Sequence, residues 1–214
     1  MRFDHLVWYS PELAAGERHF ASMDLPPAYG GEHPGDGTCN SLLSLGEATY
    51  VEILARDPKQ PASSLDKELA GLKGQGLYHW AVGGVDLAAI AQTAKDAGYK
   101  VSDVVSGGRR RPDGRLLNWK LVGLHDHPFG ALVPFFIDWT DSDHPALDAP
   151  RGGRLSGIEL SSPDAARLNA LFKALGLGLP VVQGAKAGIV VTLQSKRGPL
   201  RLESFDPLPR GFLI

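Results

Sequence analysis

Cysteine, methionine and net charge are all scarce in this chain. Of 214 residues one is Cys, Cys39, and two are Met. A lone cysteine excludes an internal disulfide and makes a reducing compartment the expectation. Lys and Arg number 22 against 24 Asp and Glu, a formal charge of −2, so nothing global advertises nucleic acid or an anionic membrane as partner. Long apolar runs are missing too: no stretch reaches about 18 uninterrupted apolar residues, and the first residues lack the pattern of a signal peptide. The expectation is a cytoplasmic protein with no membrane partner. GxSxG, GxGxxG and GK[ST] patterns are absent, which removes support for a nucleophile elbow or a phosphate loop. Small neutral or acidic molecules remain open as ligands.

What is present is a repeat. "DHLVWYSPEL" (4–13) and "YHWAVGGVDL" (78–87) superpose without a gap, His5 on His79 and Leu13 on Leu87. Each is an alternating strand ended by a turn signal and followed by a helix pattern, at about 11–23 and 86–97. After the first helix come the loop "LPPAYGGEHPGDG", with a weakly signalled strand near 28–31, and two short strands separated by Gly46-Glu47. After the second come "YKVSDVV", the loop "SGGRRRPDG", then "LNWKLVGL" and "LVPFFIDW". Both halves read as βαβββ. The last 60 or so residues repeat the order again, from "LSGIELSSPDAARLNALFKALGL" to "GIVVTLQSKRGPLRLESF", with Gly157 at the His5 step. "WTDSDHPALDAPRGGR" (139–154) is the linker candidate. The expected fold is α+β, built of repeated βαβββ modules: a paired domain over 1–145 forming a cupped mixed sheet, and a third module over 146–214 packed on it.

Side chains alternate across a strand. His5 is expected to share a face with Phe3 and Val7, and His79 with Ala81, while Trp80 and Tyr78 face the helices. On "ATYVEIL" Tyr50, Glu52 and Leu54 share the other such face. A carboxylate in mid-strand is costly to bury without a cation or donor. A divalent ion shared by His5, Glu52 and His79 satisfies all three, and two nitrogens with one carboxylate suit Fe, Mn or Zn; the alternative is a pair of hydrogen-bonded core histidines and a separately paired glutamate.

Paired βαβββ modules carrying "FDHLVW…GGEHPGDGTCNSLL…YVEIL…LYHWAV" resemble the vicinal oxygen chelate superfamily, in its glyoxalase-like branch. The resemblance implies a cupped sheet around a metal that chelates two neighbouring substrate oxygens, with His5, Glu52 and His79 as ligands. It departs from the four-ligand glyoxalases in placing Phe136 where the counterpart of Glu52 belongs, which brings it closer to the ring-cleaving dioxygenases.

His33, in a Gly/Pro loop at the mouth of the cup, is the candidate acid or base, against the simpler reading of a solvated loop histidine. Thr38, Asn40, Arg111 and Trp119 are candidate substrate contacts. An arginine of "GRRRPDGR" that turned into the cup would suit a substrate carboxylate. The expected function is a metal-dependent isomerase, lyase or dioxygenase acting on a small molecule with vicinal oxygens, compatible with a homodimer. The alternative is a metal-free binding or resistance protein using the same cup.

Overall fold

The computed structural model describes residues 1–212, with the backbone alone for 64, 66 and 67. The first module runs β1 (Arg2–Tyr9), α1 (Leu13–Ser22), β2 (Ala28–His33), β3 (Thr38–Gly46) and β4 (Thr49–Arg56). A short helix, α2 (Ser64–Leu69), leads to the second: β5 (Gly76–Gly83), α3 (Leu87–Asp96), β6 (Lys100–Val101), β7 (Val105–Arg110), β8 (Leu116–Val122), β9 (Leu124–His125) and β10 (Phe135–Asp138). Asp86 starts α3 by accepting from the Ala88 and Ala89 amides, a side-chain cap that the apolar repeat then extends.

The two modules close into one barrel in the order β1-β4-β3-β2-β7-β8-β10-β5. At one seam β1 runs antiparallel to β5 over most of its length. At the other, β2 meets β7 through the single pair Glu32 and Arg110. A barrel strand has an inside and an outside, and β1 and β5 bury both. Leu6, Trp8, Val51, Ile53, Trp80 and Val82 pack outward against Phe20 of α1 and Ile90 of α3. Burying side chains of this size contributes roughly 1.5–3 kcal/mol each. Val7, Tyr9, Leu54, Phe135 and Ile137 form a second, inner cluster.

Strict alternation fails at two bulges. Register shifts occur between Phe3 and His5, and between Val7 and Trp8 opposite Leu77 and His79. The extra residue in each case is Asp4 and Tyr78. Phe3 is consequently turned outward, stacked on Trp80 with ring centres 5.8 Å apart, while Asp4 and His5 both serve the interior. Tyr78 likewise joins the inner cluster rather than the outer one with Trp80. A bulge re-aims side chains in this way because it adds a residue without adding a pair.

The expected loop "SGGRRRPDG" begins as strand: Val105–Arg110 is β7, paired with β8 from Val105 opposite Leu121 to Arg110 opposite Leu116. Gly107 is the reason a Gly-Gly step works there. A Cβ at Gly107 would collide with the indole of Trp119 on β8, directly across. The expected strand "YKVSDVV" shrinks to the two residues of β6, paired with β9 outside the barrel.

The remaining elements are β11 (Arg154–Ser162), α4 (Ala165–Ala174), β12 (Val181–Gln183), β13 (Gly188–Ser195) and β14 (Gly198–Glu203), a third βαβββ run. Its sheet order, β12-β11-β13-β14, differs from the barrel modules, in which the first strand pairs with the last. Leu168, Leu171 and Phe172 of α4 continue the outer core around Trp80. Among the described residues no helix is long and apolar enough to cross a membrane.

Candidate functional site

Inside the barrel lies a cavity of about 680 Å³, within the range of small-molecule sites. Of the expected site residues, His5, His33, Thr38, Asn40, Glu52 and Trp119 line it. His79 and Arg111 do not belong to its lining. Tyr50, Arg109, Phe135, Trp139, Arg210 and Phe212, none of them expected as site residues, also contribute walls.

The first group is built on the β1 bulge. The Nδ1–H of His5 donates to Oδ1 of Asp4 at 2.7 Å, which leaves Nε2 facing the cavity 3.8 Å from Oε2 of Glu52. Asp4 is fully buried. It also accepts from Nε1–H of Trp139 and Nε2–H of His144, each at 3.3 Å. Burial alone would push this carboxyl up, but the hydrogen bonds from His144 and His5 and their charge outweigh it and hold Asp4 well below the ordinary carboxylate range. Asp4 thereby stays ionised and fixes the tautomer of His5. Tyr50 stacks on the other side of His5, ring centres 4.6 Å apart. Burial, then the charges of Glu52 and Asp4, raise its phenol well above the usual value, so it remains a donor. Among the described residues its hydroxyl has no hydrogen-bond partner.

The second group centres on Asn40. Its amide nitrogen donates to Glu52 Oε1 at 2.7 Å and to His33 Nε2 at 3.2 Å. Its carbonyl oxygen accepts from the Arg109 guanidinium at 3.3 Å. The other nitrogen of His33 donates to Thr38 Oγ1 at 2.8 Å. His33 is therefore not a solvated loop residue: it ends β2, is 7% exposed, and burial lowers its pKa despite the pull of Glu52. Gly30, on β2, makes the arrangement possible, because a Cβ there would strike both the Asn40 carbonyl and the Arg109 guanidinium.

Arginine recognition falls to a neighbour of the residue expected. Arg111 lies past the end of β7 and pairs with Asp148 at 2.6 Å. Arg109, two residues earlier on the strand, turns inward and is 4% exposed. Phe136 is corrected in the same way. Parallel pairing sets Val7 opposite Glu52 and Ala81 opposite Phe135; Phe135 occupies the Glu52 step and Phe136 faces the outer core.

The expected three-ligand set does not assemble. His79 lies inside the barrel, 5.2 Å from Phe135 between ring centres, but both its nitrogens are committed. Nε2–H donates to the Val133 carbonyl at 2.9 Å, and Nδ1 accepts from the Phe212 amide at 3.1 Å. Burial, only partly opposed by the Val133 bond, lowers its pKa to about 4. Among the described residues no group of three His, Cys, Asp or Glu side chains is placed to hold a metal ion. The donor set as it stands, His5 and Glu52 with an engaged His79, does not fit a divalent ion.

Comparison with curated protein sequences gives no match. Among solved structures, a hypothetical protein from Staphylococcus aureus superposes with a TM-score of 0.65 at 18% identity, covering 93% of this chain and 84% of that one. A methylmalonyl-CoA epimerase from Streptomyces coelicolor in complex with 2-nitronate-propionyl-CoA gives 0.48 at 20% identity, covering 67% of this chain and 97% of that one. The epimerase from Mycobacterium tuberculosis gives 0.42 at 19%, covering 63% and 84%. The family model described as glyoxalase-like domain matches residues 3–176. With that match spanning both barrel modules and α4, the chain belongs to the glyoxalase-like domain family.

Proposed function

We propose that the chain is an enzyme that moves a proton on a small molecule held inside the barrel, beside a carbonyl or one of two neighbouring oxygens. The observation that carries this is the Asp4–His5 pair: a buried carboxylate holds Nδ1–H and leaves a basic Nε2 aimed at the cavity. In this reading His5 takes a proton from the carbon next to the carbonyl. The electron pair moves to the carbonyl oxygen, where the Tyr50 hydroxyl donates a hydrogen bond to the developing charge. Asp4 and Glu52 flank the imidazolium and stabilise it until the proton returns: to the opposite face of the same carbon after the planar intermediate turns over in the cavity, which is epimerisation, or to the neighbouring carbon while the hydroxyl proton passes between the two oxygens, which is isomerisation. The apolar walls keep water from the intermediate.

Metal dependence, the expectation from the superfamily, would require His79 to exchange one backbone partner, the Phe212 amide on Nδ1, for an ion while Nε2–H stays on Val133. Elemental analysis tests it: about one transition ion per chain, lost in both His5→Ala and His79→Ala, would replace the present reading.

The proton-transfer reading is tested by incubating the protein in D2O with a panel of 2-oxo acids, α-hydroxy ketones and thioesters and following loss of the α-hydrogen by NMR. Wild type should exchange at least one member above background, and His5→Ala should lower that rate about 100-fold or more. Exchange that ignores His5 would remove it as the base, and none across the panel would leave a binding protein using the same cavity.

A further inference from the structure

Among the described residues Arg109 carries a buried charge with no ion-pair partner. It comes inward from β7, is 4% exposed, and lines the cavity. Its one hydrogen bond goes to a neutral amide, Asn40 Oδ1, at 3.3 Å, and among the described residues it forms no ion pair. A guanidinium has five N–H donors in a planar fork, and a buried cation is costly unless paired. Burial lowers its pKa first, with Tyr50 and Glu52 opposing, yet a guanidinium stays protonated under such shifts. The other lining guanidinium, Arg210, has Glu68 as a counter-charge. Glu52 is near enough to oppose that shift but makes no ion pair with Arg109 among the described residues, its Oε1 accepting instead from the Asn40 amide.

The donors left over on Arg109 border a cavity whose apolar walls include Trp119, Trp139, Phe135, Leu121 and Ile137, and whose lining also carries the carboxylates of Glu52, Asp36 and Glu68. Trp119 and Trp139 meet edge to face with centres 5.4 Å apart. A flat apolar body fits against such walls, and one anionic head fits the fork bidentately.

We propose that Arg109 is a carboxylate anchor, and that the ligand class of the barrel is a small aromatic monocarboxylate, its acid group on Arg109 and its ring among the two tryptophans. This rests on the cavity being a small-molecule site, as proposed above, and is independent of the proton transfer assigned to His5. The fork fixes one end of the ligand, so the atom presented to His5 is set by the length of the chain between acid and ring.

The test is calorimetric titration of the full chain with 3-phenylpropionate and with its neutral isostere 3-phenylpropanamide. Wild type should bind the acid about tenfold or more tightly than the amide, since only the acid completes the charged fork. Arg109→Met should bind the acid and the amide alike. Arg109→Lys retains the charge without the fork and should fall between; it carries the test if Arg109→Met melts too early to assay. Equal binding of acid and amide by wild type, no heat with either, or a preference that survives in Arg109→Met would overturn the assignment. An Arg109-dependent preference for the acid with no deuterium exchange would leave the anchor standing and remove the proton transfer, and His5-dependent exchange without the preference would do the reverse.

Discussion

Two buried side chains tie stability to pH in the same direction but over different ranges. His79 titrates at 6.5 when unfolded and at about 4 in the fold, where burial disfavours its charge. Between those values the unfolded chain binds more protons than the native one, so stability rises with pH across this window and is lost as pH falls through it. The expected loss between pH 7 and pH 4.5 is roughly 2–3 kcal/mol from this group. Urea midpoints at the two pH values should show a shallower decline in His79→Gln; His33, shifted the same way by burial, keeps part of the slope. An identical decline in the variant would mean that His79 protonates freely in the native state. Asp4 acts at the acid end. Its folded pKa lies below the unfolded 3.8, so its contribution is full above that pH and vanishes as pH falls through the depressed value. Asp4→Asn removes the charge that three donors share, and should cost about 2–4 kcal/mol at neutral pH. Denaturant unfolding checks this, and wild-type stability in the variant would show that Asp4 is not ionised in the fold.

At the scale of strands, Gly107 and Trp119 make β7 and β8 work as a pair. A methyl group at position 107 meets the Trp119 indole, which also packs edge to face with His33 and Trp139. Gly107→Ala should therefore swing Trp119 from its place, at a cost of about 1–3 kcal/mol. Tryptophan emission and a thermal melt read both effects; unchanged values for the two would place the indole elsewhere. The same strand shows where the sequence is readable. The repeat, the βαβββ order and the inward set His5, Tyr50, Glu52 and Leu54 follow from apolar alternation, which the barrel obeys over β4. Alternation cannot announce a bulge, so it sets Phe3 on the His5 face and Tyr78 on the Trp80 face, whereas the bulges turn Phe3 outward and Tyr78 inward. Gly-Gly-Arg-Arg carries the composition of a loop, and only pairing with β8 reveals that Arg109, not Arg111, points inward. His144 and Trp139 sit in a segment whose Pro, Gly and Asp content reads as a linker, and their contact with Asp4 spans 135 residues or more. No local pattern encodes that distance.

Across the whole molecule, the outer core runs without interruption from Leu6 of β1 to Leu202 of β14. Its middle is Trp80, whose Nε1–H donates to the Leu132 carbonyl at 3.2 Å. Phe172 of α4 lies against its ring with centres 6.3 Å apart. The chain after Ser204 then returns to the barrel: the Ala131 amide donates to the Pro209 carbonyl at 2.9 Å, and Phe212 closes on His79. A third module joined through one shared core and one returning segment should not unfold by itself. All four tryptophans, Trp8, Trp80, Trp119 and Trp139, belong to residues before the third module, so their fluorescence reports the barrel, whereas circular dichroism reports every element. Phe172→Ala leaves a void against Trp80 and should cost about 3–5 kcal/mol. Coupling requires that this substitution, made in α4, lower the midpoint of the tryptophan signal and the dichroic signal together. A barrel transition that stays at the wild-type urea concentration while the dichroic curve splits in two would show that the shared core conveys no cooperativity, and that the barrel stands without the module packed on it.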